Sequence, residues 1–285
     1  MIRRQENNGW LLITQPDHAK LAGEMARHWG NDEFSRATPR DEVLFAIAEH
    51  DNGWREPDAA PQLNPANGLP YHFAEWSLAN HFANWRRGEQ RFLSQNRYAS
   101  LLISRHGSIL FRYLVDTEAD PVLAHPFFAR ETWRSRGLQM SLEEQRQVLS
   151  FVEEREEFQR RMQEELAADP RFAGAVNPEQ LNCNFRLLQV CDALSLYICS
   201  GPPQEKTLPN IARRNWNDRV SLTLRPDGQK AALIEPYPFA LSSLQVQVQA
   251  CRLPLGPFRH QDELEEAWQR ASLETLSFTF RRTDG

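Results

Sequence analysis

Arg40 to Trp54 reads RDEVLFAIAEHDNGW. Val43, Leu44, Ile47 and Ala48 recur at helical spacing, so the run to Glu49 predicts an amphipathic helix. His50 and Asp51 stand at its end, directly before the turn-forming dipeptide Asn52-Gly53. Neighbouring residues on a regular helix point about 100° apart, so the pair can converge only where the backbone leaves the helix. Two readings are open here. Asp51 begins an Asx turn beside a core histidine, or the imidazole and carboxylate face one ion.

Working outward, Gly9 to Thr14 reads as a short apolar strand. Pro16 and Asp17 then open a helix through Trp29, with Leu21, Met25 and Trp29 on one face and Gly30-Asn31 at its end. His18 falls in its first turn. Downstream of the pair, Asn52 to His72 carries Pro57, Pro61, Pro65 and Pro70 and reads as an extended loop. Glu75 to Trp85 and Glu89 to Val115 follow as helices. His106 shares the core-facing stripe of the second with Ile103 and Leu110, where its ring nitrogens need partners. Residues 116 to 140 read as irregular. Ser141 to Ala168 opens with a Ser141/Glu144 capping box and carries a solvated charged face.

Pro178 to Ser200 is the most apolar helix, and Asp192 lies on it between Val190, Leu194 and Leu196. A buried carboxylate is costly unless it pairs or binds a metal. Arg186 offers the competing salt bridge. After Gly201-Pro202-Pro203 the pattern turns strand-like: Val220 to Leu224, Ala231 to Glu235, Leu244 to Leu253 and Leu273 to Phe280, with Asp262 to Arg270 as a short helix. Asp227-Gly228 marks a hairpin. The expected fold is mainly α. It is a helical bundle over residues 1–201 with a short N-terminal strand, plus a β-rich extension over 202–285 packed on that body (α+β overall), where the N-terminal strand could join it.

Composition narrows the function classes. A net charge of −5 on 285 residues argues against a nucleic-acid partner. No run approaches the ~18 apolar residues of a membrane span, and the N-terminus lacks a secretory cleavage pattern. The four cysteines have no CxxC spacing and read as free thiols of a cytoplasmic protein. The alternating face Val246, Val248, Ala250 could serve a partner or a homodimer.

His18, then His50-Asp51, then Asp192 form a His … His-Asp … Asp series, which resembles the HD-domain superfamily of helical metal-dependent phosphohydrolases. GWLLITQPDHAKLAGEMARHWG and HDNGWREPDAAPQLNPANGLPYHF also resemble an uncharacterised bacterial branch, a domain of unknown function. The resemblance implies that His18, His50, Asp51 and Asp192 hold one divalent transition metal (Mn, Fe, Zn or Ni). It implies a second ion at His106, with His81 a weaker match, His72 weaker still, and Asp51 bridging. Phosphoester hydrolysis of a small phosphorylated metabolite by a metal-activated water follows as the expected activity. Glu49 or Asp17 would orient a ligand imidazole. The phosphate-holding cation has no secure match; Lys20, Arg55 and Arg105 are the candidates. Trp54, Tyr71, His72 and Phe73 would wall the pocket. Diiron oxygenase chemistry on the same scaffold, or a binding protein with a degenerate site, are the alternatives.

Overall fold

The computed structural model describes residues 1–6, 8–128 and 130–283. A hairpin, β1 (Ile2–Glu6) and β2 (Gly9–Ile13), leads into α1 (Gln15–His28). Thr14 caps α1 by accepting from the Asp17 amide, and Pro16 occupies the first turn, where no amide donor is needed. The next helix, α2 (Arg40–Ala48), crosses α1 at very short range: a Cβ at Gly23 would lie 2.6 Å from that of Ala48.

The proline-rich segment is more structured than the expected loop. Asn52–Trp54 forms a single 3-10 turn, followed by α3 (Arg55–Ala59) and a small hairpin, β3 (Leu63–Asn64) with β4 (Leu69–Pro70). The Asn64 side chain accepts from the Ala66 amide, and Gly68 takes φ +67° to close that hairpin. Then come α4 (Leu78–Arg91), α5 (Arg97–Val115), α6 (Arg130–Leu138), α7 (Leu142–Ala167) and α8 (Pro178–Cys199). Both halves of the Ser141/Glu144 capping box form at the start of α7. The segment 116–140, read as irregular, contains α6, which packs on α5 with Gly137 against the Leu114 carbonyl.

The C-terminal part supplies β5 (Lys206–Ala212), β6 (Arg219–Pro226), β7 (Ala231–Glu235), β8 (Ser243–Leu253), α9 (Gln261–Gln269) and β9 (Ser272–Arg282). These join the N-terminal hairpin in one curled seven-stranded sheet of order β1-β2-β8-β9-β7-β6-β5, parallel only between β7 and β9. The mainly α expectation is therefore wrong. The molecule is a mixed α/β structure, about 48% helix and 21% strand.

The reason lies in the hairpin. Ile2, Leu11 and Ile13 bury their side chains in the main core, and β2 pairs with β8 at Trp10↔Leu253 and Leu12↔Cys251. The sheet is thus closed by both ends of the chain. Val246, Val248 and Ala250 point inward to that core while Gln245, Gln247 and Gln249 face solvent, so the alternating apolar face is internal. Among the described residues, no helix is long and apolar enough to cross a membrane.

Candidate metal centre

Three helices and one connecting segment deliver five polar groups buried at the centre of the helical layer. α1 brings His18 in its first turn. The residues after α2 bring His50 and Asp51, α5 brings His106, and α8 brings Asp192. All five are at most 5% exposed. The turn after Asp51 is held tightly. The Asn52 amide donates to the carbonyls of Glu49 and Gly88, and a Cβ on Gly53 would lie 2.0 Å from the Asn84 carbonyl oxygen. Only glycine lets this turn reach α4, which explains Asn52-Gly53 after the pair.

Hydrogen bonds set the tautomers of the two leading histidines. His50 Nδ1 lies 2.8 Å from the Ile47 carbonyl, which can only accept, so Nδ1 carries the proton. The Ser195 hydroxyl donates to the Asp192 carbonyl at 2.8 Å and so accepts from His18 Nδ1 at 2.6 Å. Both rings therefore turn Nε2 inward. His18 Nε2 is 3.0 Å from Asp51 Oδ2 and 3.6 Å from Asp192 Oδ1; His50 Nε2 is 3.6 Å from each of those oxygens. Four acceptor atoms face one another in a dry interior. His50 Nε2 and Asp192 Oδ1 have no hydrogen-bond partner among the described residues. Such an arrangement requires a shared proton or a cation between the groups.

The electrostatics agree. Burial opposes a charge on His50, but the carboxylates of Asp51 and Asp192 prevail and raise its imidazole to about 9. Burial likewise opposes ionisation of both aspartates, yet His50 foremost among the nearby histidines holds Asp51 below, and Asp192 well below, the usual carboxylate range. The centre thus favours a positive charge between its two carboxylates. The residues fit a divalent metal: His18, His50 and Asp192 offer ligand atoms within 4.8 Å of one another, with Asp51 beside them. Two imidazoles and two carboxylates suit Zn, Mn, Fe or Ni.

Asp192 also faces a second histidine pair. Its Oδ2 lies 2.9 Å from His125 Nε2 and 3.3 Å from His106 Nε2, and the three residues form a second group able to hold a metal. This group is prepared differently. The Phe127 amide donates to His125 Nδ1 at 3.3 Å, which leaves the proton on Nε2, 2.9 Å from Asp192 Oδ2. Burial pushes His125 down to about 4, so the ring is neutral at pH 7.

His125 has no counterpart in the sequence reading. It sits in a stretch with no periodicity, before Pro126, and is carried by contacts made elsewhere. Arg186 donates to the carbonyls of Ala124 and Val122, and Gln189 to that of Leu123. Arg186 therefore fastens the segment that carries His125 and forms no salt bridge with Asp192. Ser195 was likewise unforeseen. So was Gln15, whose amide donates to Asp51 Oδ2 at 2.9 Å.

The remaining candidates fall elsewhere. His81 is in neither histidine–carboxylate group. It stands in the pocket wall with its ring against Trp54 and Phe111, and burial lowers it to about 4. His72 caps the turn at Phe73–Glu75, accepting from the Ala74 amide, and burial lowers it to about 4. Tyr71 packs on Trp76 outside the pocket lining. Glu49 pairs with Arg55 at 2.5 Å and Asp17 with Lys20 at 3.1 Å, so neither carboxylate orients a ligand ring. Ile47 and Ser195 do that. Arg105 lies half-buried over Phe185 and donates to Asn182. None of Lys20, Arg55 or Arg105 lines the pocket; Trp54 and Phe73 do.

That pocket holds about 320 Å³ and opens directly on His18, Asp51, His106 and Asp192. A family model described as a protein of unknown function, DUF3891, matches residues 1–255. The chain belongs to this family. The match spans every residue of the histidine–aspartate centre and runs through β8. No curated protein and no solved structure matches the chain.

Proposed function

We propose that this chain is a metal-dependent phosphohydrolase of the HD-domain kind, with one divalent ion held by His18, His50, Asp51 and Asp192. One observation carries the reading: His18 and His50 both have Nδ1 committed to a fixed acceptor, so their Nε2 lone pairs converge on two buried carboxylates. The order of these residues along the chain, and its resemblance to the HD-domain series, supply the reaction class. A divalent ion there supplies Lewis acidity and lowers the pKa of water towards ~7.

The chain's own residues supply the rest. Ser195 and the Ile47 carbonyl hold the imidazoles in register, and Gln15 holds Asp51. Trp54 and Trp85 wall the pocket beside the centre and exclude bulk water, which strengthens every charge interaction inside it.

Elemental analysis of protein purified without chelator, followed by p-nitrophenyl phosphate hydrolysis with Mn, Fe, Zn or Ni, tests the reading. About one equivalent of metal and metal-dependent turnover are expected, both lost in His50→Ala. Full metal content in His50→Ala, or a protein that takes up no metal, overturns it.

A second reading rests on the shared carboxylate. Asp192 turns one oxygen towards His18 and His50 and the other towards His106 and His125, so these five residues would be the ones to hold two irons. Two equivalents of iron, and O₂ consumption on reduction, would favour a diiron oxygenase over the hydrolase.

A further inference from the structure

The pocket beside the centre has a composition that selects its occupant. Its inner walls are apolar and aromatic: Trp54 and Trp85 face Leu110, Phe111, Leu114 and Met140. The polar side chains away from the centre gather at the mouth, where Arg136, Gln139 and Glu144 are exposed. Within the wall the polar side-chain groups are the His81 ring, packed against Trp54 and Phe111, and the Trp76 indole N–H, which has no hydrogen-bond partner among the described residues. Among the described lining residues, Arg136 is the only lysine or arginine.

A sugar or nucleobase buried here would lose its hydrogen bonds to water and find few replacements, which is costly. A polyphosphate would need several cations. An apolar body meets neither cost. An apolar cavity of ~150 Å³ accepts benzene, so 320 Å³ accommodates a one- or two-ring aryl group or an alkyl chain of similar bulk.

We infer that the substrate carries an aryl or alkyl group attached directly to the reacting anionic head, the head lying at the histidine–aspartate centre and the apolar body between Trp54, Trp85, Leu110 and Phe111. The inference rests on the hydrolase reading for the head and on the pocket wall for the body.

Binding of phenylphosphonate and methylphosphonate to the metal-loaded protein, followed by calorimetry and tryptophan fluorescence, separates the two. Phenylphosphonate is expected to bind at least about tenfold more tightly, because its ring leaves water for the apolar wall. Leu110→Glu, and Met140→Gln from a separate element, should bring that ratio towards one while metal content stays at the wild-type level. Equal binding of the two phosphonates by metal-loaded wild-type protein overturns the inference and leaves the hydrolase reading standing. Binding of 1-naphthol by a protein that takes up no metal does the reverse: it overturns the hydrolase reading and supports the apolar pocket.

Discussion

Ser195 lies one turn beyond Asp192 on α8, and its hydroxyl joins the two ends of the centre: it donates to the Asp192 carbonyl and accepts from His18 Nδ1 at 2.6 Å. The serine thereby fixes which nitrogen of His18 faces inward. Ser195→Ala removes that acceptor while leaving every ligand in place. Its metal affinity should fall about 10–100-fold, the usual cost of losing an outer partner of a ligating histidine. Metal titration against a competing chelator measures it. Unchanged affinity would mean that packing alone orients the ring.

The centre was partly legible in the sequence because its first members are chemically awkward where they stand. Asp192 interrupts an apolar helix, and His50-Asp51 ends a periodic one. His125 obeys no period; it is placed by Arg186 and Gln189, about two turns and one turn before Asp192 on the same helix, which bond to the backbone of residues 122–124. Nothing local encodes that. The sheet was misjudged for a similar reason. The strand β1 reads Ile-Arg-Arg-Gln-Glu, without apolar alternation, and its place is set by β2, whose own partner β8 lies at the other end of the chain. Strand pairing over such a span is a tertiary fact. The pocket lay between these cases. Trp54 was legible as a pocket wall, whereas Phe111 and Trp85 lie within α5 and α4, where nothing local marks them as its wall.

Metal binding should expel a proton from His50. In the metal-free fold this imidazole is raised from 6.5 to about 9, against the opposing effect of burial, by Asp51 and Asp192. Below pH 9 an ion must displace its proton, so affinity should rise with pH up to about 9, well beyond the range of an ordinary histidine. Calorimetry in buffers of different ionisation enthalpy should show about one proton released at pH 7.5.

The same shift has a stability consequence with a definite sign. Because the folded value exceeds the unfolded one, the protonated His50 stabilises the metal-free protein fully below about pH 6.5, and this is lost as pH rises through about 9. The melting temperature of metal-free protein should therefore drop between pH 6.5 and 9.5, and the gap to metal-loaded protein should widen. A gap that stays constant across that range would show that His50 is not where ion and proton compete.

His125 distinguishes one ion from two. With its Nδ1 accepting from Phe127 and its Nε2 facing Asp192, its proposed role is to hold the carboxylate, not an ion. His125→Gln keeps a donor near Asp192 and should retain about one equivalent of metal, with affinity lowered about tenfold or less. A fall from two equivalents to one in this variant would instead establish a second ion at His106 and His125.

Gly53 sets how closely the turn after Asp51 approaches α4. A Cβ there would meet the Asn84 carbonyl oxygen at 2.0 Å and its carbon at 2.9 Å, both backbone atoms that cannot swing aside. Gly53→Ala must push α4 away from the turn. That helix carries Trp85, whose ring packs edge-on against His106 at 5.5 Å, so the displacement reaches the pocket wall as well as the Asn52 bond to Gly88. Overpacking of this kind costs about 1–3 kcal/mol, measurable as a lower denaturation midpoint at unchanged slope. If the close approach serves the centre and not merely the fold, metal affinity should fall further in Gly53→Ala than in a helix-surface variant of equal stability loss. Equal affinities in the two would confine the role of Gly53 to packing.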